Sequence, residues 1–201
     1  MAKGGAYERR ISVLLSEWWS FGRRSDIFWR SDSSGARATQ RAKRGRKTAN
    51  SYGDICAIDP VGAPLLKVAS IECKDGYSSK SVADLFDRYP TAASQQWETW
   101  ILKAEQDAEA SGALGWFLIT HRKRRNEMIA MPRRLFVALD NSRMGKTGLA
   151  HELMPLVEFT VLLRSPGDVQ PHRVVLTDLE CFLDNVNPKD IRQLLISSPP
   201  E

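Results

Sequence analysis

Asp54, Glu72 and Lys74 are the residues whose types and spacing point most directly to chemistry. They frame "DICAIDPVGAPLLKVASIECKD" at 54–75, two apolar runs joined by a Pro/Gly turn. Alternation along a strand puts Glu72 and Lys74 on one face and Ile71 and Cys73 on the other. If Asp54 begins the neighbouring strand, its carboxylate can approach Glu72. Two carboxylates and a backbone carbonyl, such as that of Cys73, make a hard oxygen site suited to Mg²⁺ or Mn²⁺. A lysine beside that ion could orient or help deprotonate a water, or stabilise charge on a phosphate in transfer. Taken alone, Asp-x(17)-Glu-x-Lys is a degenerate pattern, and ordinary charged strand ends also produce it.

The elements that would position these groups can be read from periodicity. Residues 4–20 form an amphipathic helix pattern, with Tyr7, Ile11, Leu14, Leu15 and Trp18 on one face and Glu8 at its edge. "DIFWR" at 26–30 reads as a short strand, followed by a long Ser/Gly/basic stretch too polar for a core. Strands at 54–58 and 65–74 are expected to pair as a hairpin through "DPVGAP". A helix is expected within 82–111, with Trp97, Trp100, Ile101, Ala104 and Ala108 on its buried face and Gly112 as its stop. Strands follow at 114–121 and 127–132 around a basic turn, "RKRRN", and again at 157–164 and 173–177. "TDLE" at 177–180 matches a capping box, and "NPKD" at 187–190 places Asn at an N-cap and Pro at the first helical position. This order predicts one α/β domain over 1–201 with a mixed sheet flanked by helices.

Composition and charge narrow the function classes. The 201 residues are 42% hydrophobic and 26% charged, which excludes disordered and membrane-spanning classes. Cys56, Cys73 and Cys181 are too far apart for a zinc site and read as reduced residues of a cytosolic protein. Of the 29 Lys and Arg, 12 fall in residues 1–50, against only 4 of the 24 Asp and Glu. A basic end on a near-neutral body points to a polyanionic partner. The densest run, Arg37–Lys47, has six basic residues and no acid. Alone it reads as a solvated loop.

The order of elements and motifs over 4–121 resembles the PD-(D/E)XK nuclease superfamily, and within it Holliday junction resolvases and related phage nucleases. The resemblance begins in "KGGAYERRISVLLSEWW" with Glu8 in the first turns of the opening helix. It runs through Arg30 and "SDSSGA", Gly53-Asp54, "ECK" at 72–74 and Gln96-Trp97, and ends in "GWFLITH". It implies a restriction-endonuclease-like core over about 4–132, with additional C-terminal strands and helices over about 133–201. It further implies that Asp54 and Glu72 bind Mg²⁺, with Mn²⁺ as a substitute, and that Lys74 acts on the water. Glu8 would support the metal or its water, and Gln96 would contact the site or the DNA. In that context Arg30, Ser33, Ser34, Arg37, Arg41, Lys43, Arg44, Arg46 and Lys47 become expected DNA contacts. The implied activity is an endodeoxyribonuclease, best matched to four-way branched DNA, working as a homodimer in the interior of a phage-infected or bacterial cell. A nuclease of linear duplex, flaps or DNA ends, and a non-catalytic nucleic-acid-binding module, are the alternatives. This chain departs from the family pattern in having Gly53 where proline usually precedes the aspartate.

Other features point elsewhere or nowhere. "GKTG" at 145–148 lacks the upstream glycine of a phosphate-binding loop, since position 140 is Asp. His121, His151 and His172 lack ligand spacing and read as surface or capping residues. The helical spacing of Trp97 and Trp100 predicts packing and not base stacking, and Trp18 and Trp19 read the same way.

Overall fold

The structure, a computed structural model, describes residues 3–31, 52–87, 95–142, 155–165 and 168–197. Ser33, Ser34, Arg37, Arg41, Lys43, Arg44, Arg46 and Lys47 lie outside the described residues, as do the 145–148 motif and His151.

Tyr7, Ile11, Leu15 and Trp19 recur every four residues, and that spacing lines one side of α1, Lys3–Trp19. This side covers β1, Phe28–Arg30, and β3, Ala69–Asp75. The antiparallel partner of β1 is β2, Ile55–Ala57, with Trp29 opposite Cys56. Between β2 and β3 lie a 3₁₀ turn, Pro60–Gly62, and a short helix α2, Ala63–Val68. The expected hairpin over 54–74 is therefore absent. Extended backbone would put Leu65, Lys67 and Ala69 on one face. The helical turn that starts with Pro64 buries Leu65 and Val68 together and leaves Lys67 exposed.

The main sheet runs β3-β4-β5-β7-β6, with β4 at Gly115–His121, β5 at Met128–Pro132, β6 at Leu156–Ser165 and β7 at Asp168–Asp178. Only the β3–β4 pair is parallel, so the sheet is mixed, as expected. The strands at 156–178 continue this sheet, with β7 pairing directly to β5. On one face pack α1, α2, α4 (Arg133–Ser142), α5 (Leu179–Asn185) and α6 (Pro188–Ser197). On the other lies α3, Gln96–Ser111, ending at Gly112 as expected and burying Trp97, Trp100, Ile101, Ala104 and Ala108. Among the described residues of 82–111, a 3₁₀ turn at Val82–Leu85 precedes α3. Alternation along β4 sends Trp116 and Leu118 to the α3 side and Phe117 and Ile119 to the α1 side. Each large side chain so buried contributes roughly 1.5–3 kcal/mol.

Two local expectations change. The cap of α5 is Asp178, whose carboxylate accepts from Cys181 N–H, and not Thr177. Thr177 stays in the ladder of β7, and its hydroxyl donates to the Pro155 carbonyl. Helix α4 was not expected. Its apolar residues Leu135, Phe136 and Leu139 follow two arginines and a proline that disguise its start. At 187–190 the expected cap forms, with Asn187 Oδ1 accepting from Lys189 N–H. The three cysteines are free thiols.

A buried serine joins α1 to the small sheet. Ser16 Oγ donates to Ser12 O at 2.7 Å and accepts from the N–H groups of Ile27 and Phe28 at 3.2 and 2.9 Å. Ser16→Ala leaves both N–H groups unpaired inside the protein and is expected to lower stability by about 2–4 kcal/mol, measured by urea unfolding.

Candidate active site

Asp54 sits between the two sheets, in the residue before β2. Its N–H donates to the Ile71 carbonyl at 2.7 Å, and its own carbonyl accepts from Ser31 N–H at 2.8 Å. Those bonds direct its side chain along the outer edge of β3, where Oδ2 accepts from Cys73 N–H at 2.8 Å. Gly53 makes this approach possible. Its φ is +74°, and a Cβ there would lie 2.7 Å from the Ile71 carbonyl oxygen. Proline, fixed near φ −65° and lacking an N–H, cannot replace it. The Gly53 N–H is in use, donating to Asp107 Oδ2 at 3.1 Å.

Glu72 is fully buried and points to the α3 side of β3, as does Lys74. Lys74 Nζ is 2.5 Å from Glu72 Oε2 and 3.4 Å from Asp54 Oδ2. The three residues read from the 54–75 stretch therefore meet at one point. They meet across the outer edge of β3, not through the expected hairpin.

Helix α3 supplies two further groups that sequence reasoning missed. Lys103 Nζ donates to Glu72 Oε1 and, at 2.5 Å, to Asp107 Oδ2 one turn later. The available signal was weak: Lys103 and Asp107 are an ordinary i, i+4 pair on a helix expected beside the site. Gln96 is the first residue of α3, two turns before Lys103. The α3 groups that reach the carboxylates are Lys103 and Asp107. Glu8, nearly buried on α1, has its Oε2 3.4 Å from Arg30 Nε. Helix α1 packs on the Ile71 and Cys73 side of β3, so Glu8 lies across that strand from Glu72.

Burial raises the Asp54 carboxyl to about 6, and the neighbouring Glu72 charge adds to the rise against the pull of Lys74. Burial works against Glu72 ionisation too, but Lys74 and Lys103 outweigh it and bring Glu72 down to about 2. Burial disfavours the Lys74 ammonium, yet the Asp54 and Glu72 charges hold it protonated well above the ordinary lysine range. Burial takes the Cys73 thiol well above its usual range, which leaves it an inert packing group.

The donor set fits a hard divalent cation. Asp54, Glu72 and Asp107 against Lys74 and Lys103 leave the cluster with one net negative charge when all are ionised. A strand residue directs its N–H and C=O to the same side. The Cys73 carbonyl therefore faces the side of β3 on which its N–H meets Asp54. Among the described residues no three Asp, Glu, His or Cys side chains form a ready-made cluster, so the protein's share would be two carboxylates and this carbonyl. Water would complete the shell, as is usual for Mg²⁺.

A family model described as "Phage putative PDDEXK endonuclease" matches residues 1–193. The chain belongs to this family. Its α/β architecture, with a five-stranded mixed sheet flanked by helices, is consistent with the restriction-endonuclease-like fold. Membership of a PDDEXK endonuclease family supports a nuclease activity with DNA as the substrate. No curated protein and no solved structure matches the chain. Among the described residues, no helix is long and apolar enough to cross a membrane.

Two outcomes follow from this geometry. With metal chelated, ionising Asp54 opposes folding, so its contribution to stability is intact below about pH 4 and is lost as pH rises through about 6. The Glu72 contribution runs oppositely, present above its unfolded value of 4.5 and lost as pH falls through about 2. Asp54→Asn is therefore expected to stabilise the protein in EDTA at pH 8 by about 1–3 kcal/mol, with little effect at pH 4, read from thermal unfolding. Gly53→Ala strains the backbone and pushes on β3. It is expected to cost about 2 kcal/mol or more in the same assay.

Proposed function

We propose that the protein is a Mg²⁺-dependent endodeoxyribonuclease that hydrolyses phosphodiesters by water attack, with four-way branched DNA as its substrate. The observation that carries this reading is the meeting of Asp54, Glu72 and Lys74 at the edge of β3 in a chain of the PDDEXK endonuclease family. Asp54, Glu72 and the Cys73 carbonyl would hold the ion, with Mn²⁺ able to substitute. When bound, the ion supplies positive charge that polarises the phosphate and acidifies the attacking water.

The chain's own groups do the rest. Lys74 and Lys103 neutralise Glu72. Asp107 also accepts from Lys103 and would hold it in place if Glu72 served as a ligand. Lys74, an ammonium, donates hydrogen bonds: it orients the water and stabilises the charge that builds on the phosphate oxygens. Glu8, across β3 on α1, would support the ion or its water, while Arg30 beside it would meet the DNA backbone. Gln96 would act as an auxiliary contact from the start of α3. Paired cuts in a four-way junction require two active sites, which favours a symmetric homodimer.

The deciding experiment incubates the protein with a synthetic four-way junction, a flap and a linear duplex of shared sequence, with and without Mg²⁺. Paired symmetric nicks in the junction, dependent on Mg²⁺, are expected. Asp54→Ala and Glu72→Ala are each expected to reduce cleavage by roughly two to four orders of magnitude. Wild-type rates in either variant would sink the assignment, and faster cutting of flap or duplex would move it to those substrates.

A further inference from the structure

The turn Arg122–Arg125 joins β4 to β5 and carries four consecutive cations. Lys123, Arg124 and Arg125 are exposed, and Arg122 is half-buried. Several other surface arginines are matched to acids, as Arg24 is to Asp26, Arg133 and Arg173 to Glu158, and Arg134 to Glu105. Among the described residues none of the four turn cations pairs with a carboxylate. Unpaired like charges on a tight turn repel one another, so this arrangement does not serve the stability of the turn.

The backbone makes the same point. The turn closes through Arg125 N–H to the Arg122 carbonyl at 3.0 Å, and this closure puts Arg124 at φ +62°. That is the left-handed region, which glycine enters freely and which a residue with a Cβ enters at a cost. A long basic side chain thus stands where a glycine would relieve strain.

Register ties the turn to the site. Strands β3 and β4 run parallel, with Lys74 opposite Thr120 and Asp75 opposite His121. Gly76 N–H donates to the His121 carbonyl at 3.2 Å, and His121 Nδ1 lies 2.7 Å from Asp75 Oδ1. His121 also stacks on Tyr7 of α1, which fixes the end of β4. Arg122 therefore begins about two residues, or roughly 7 Å, beyond Lys74 along the strands and roughly 5 Å across. The start of the turn thus lies within a nucleotide or two of a phosphate placed at Lys74. Between the turn and α1 runs an open cleft of about 490 Å³, lined by Tyr7, Asp75, His121 and Arg125 among others.

We propose that the Arg122–Arg125 turn is a DNA-backbone clamp that grips the phosphates flanking the scissile one. The clamp rests on the nuclease reading above and extends it, because it assigns a site outside the metal cluster. Its ligand is the phosphodiester backbone, read without base identity, so its signature is electrostatic and not sequence-specific.

The test measures binding, not cleavage, in EDTA. Fluorescence anisotropy of a labelled duplex and a labelled four-way junction is followed across a NaCl series. Three proteins are compared with wild type: Arg124→Gly, the pair Lys123→Gln/Arg124→Gln, and a control pair, Arg23→Gln/Lys189→Gln. The control removes the same charge from exposed positions beyond the far end of α1 and on α6. Each lost phosphate contact lowers the slope of log K against log[salt] by about 0.9. The Lys123/Arg124 pair is expected to lower the slope by about 2 and weaken binding at least tenfold, and the control pair is expected to leave the slope unchanged. Arg124→Gly is expected to raise the melting temperature while lowering the slope by about 1, an outcome that misfolding cannot produce. An unchanged slope in the turn variants, or an equal fall in the control, overturns the clamp while leaving the nuclease assignment standing. No binding by the wild-type protein to either DNA would instead count against both.

Discussion

Placing Asp54 beside Glu72 at the outer edge of β3 is the constraint on which the rest of the site depends. Two carboxylates in a dry, confined place oppose each other's ionisation, and the protein must either neutralise one or bring cations to them. It brings cations from two directions: Lys74 from the same strand and Lys103 from α3. Lys103 must in turn be steadied, and Asp107 does so while also fixing the Gly53 amide. A single loop of interactions thus runs from the Gly53 amide beside the aspartate, through α3, to the glutamate and back. The position of α3 over β3 is therefore set by charge as well as by its tryptophans.

The two sides of β3 do different work. Ile71 and Cys73 bury against α1 and hold the strand in the core. Glu72 and Lys74, alternating with them, carry the ionised groups toward α3. A one-residue slip of this strand would send the glutamate into the α1 core and a cysteine into the site. The seven paired residues of β3 and β4 guard against that slip. Glu105 shows the same economy on the other side of α3. There a nearly buried carboxylate accepts from Trp116 Nε1 at 2.5 Å and Arg134 at 2.6 Å, tying the helix to β4 and α4.

Much of this was legible from the sequence, for reasons that lie in periodicity. The stripe of α1, the tryptophan face of α3 and the alternation of Ile71, Glu72, Cys73 and Lys74 are local patterns, and local patterns survive without an alignment. The hairpin was misread because "APLLKV" is short and apolar, and over six residues helical and extended patterns are hard to tell apart. Thr177 was misread as a cap because its sheet partners, which hold it extended, are distant in sequence. Lys103 and Asp107 were missed for a related reason: their partners, Glu72 and the Gly53 amide, are brought to them only by the fold. Gly53 looked like a departure from the family pattern, and its close approach to Ile71 explains it.

The backbone hydrogen bond from Asp54 to Ile71 joins the β1–β2 ribbon to the edge of the main sheet. The aspartate therefore rides on one structural unit and the glutamate and lysine on another. The core on the α1 side is shared, since Ile27, Phe28 and Ile55 of the ribbon bury in the same cluster as Ile71, Phe117 and Ile119 of the sheet. An opening at that seam would part the aspartate from its partners and also uncover some of this core. The geometry of the Asp54–Glu72–Lys74 cluster is thus coupled to the seating of the ribbon on the sheet, and whatever loosens one loosens the other.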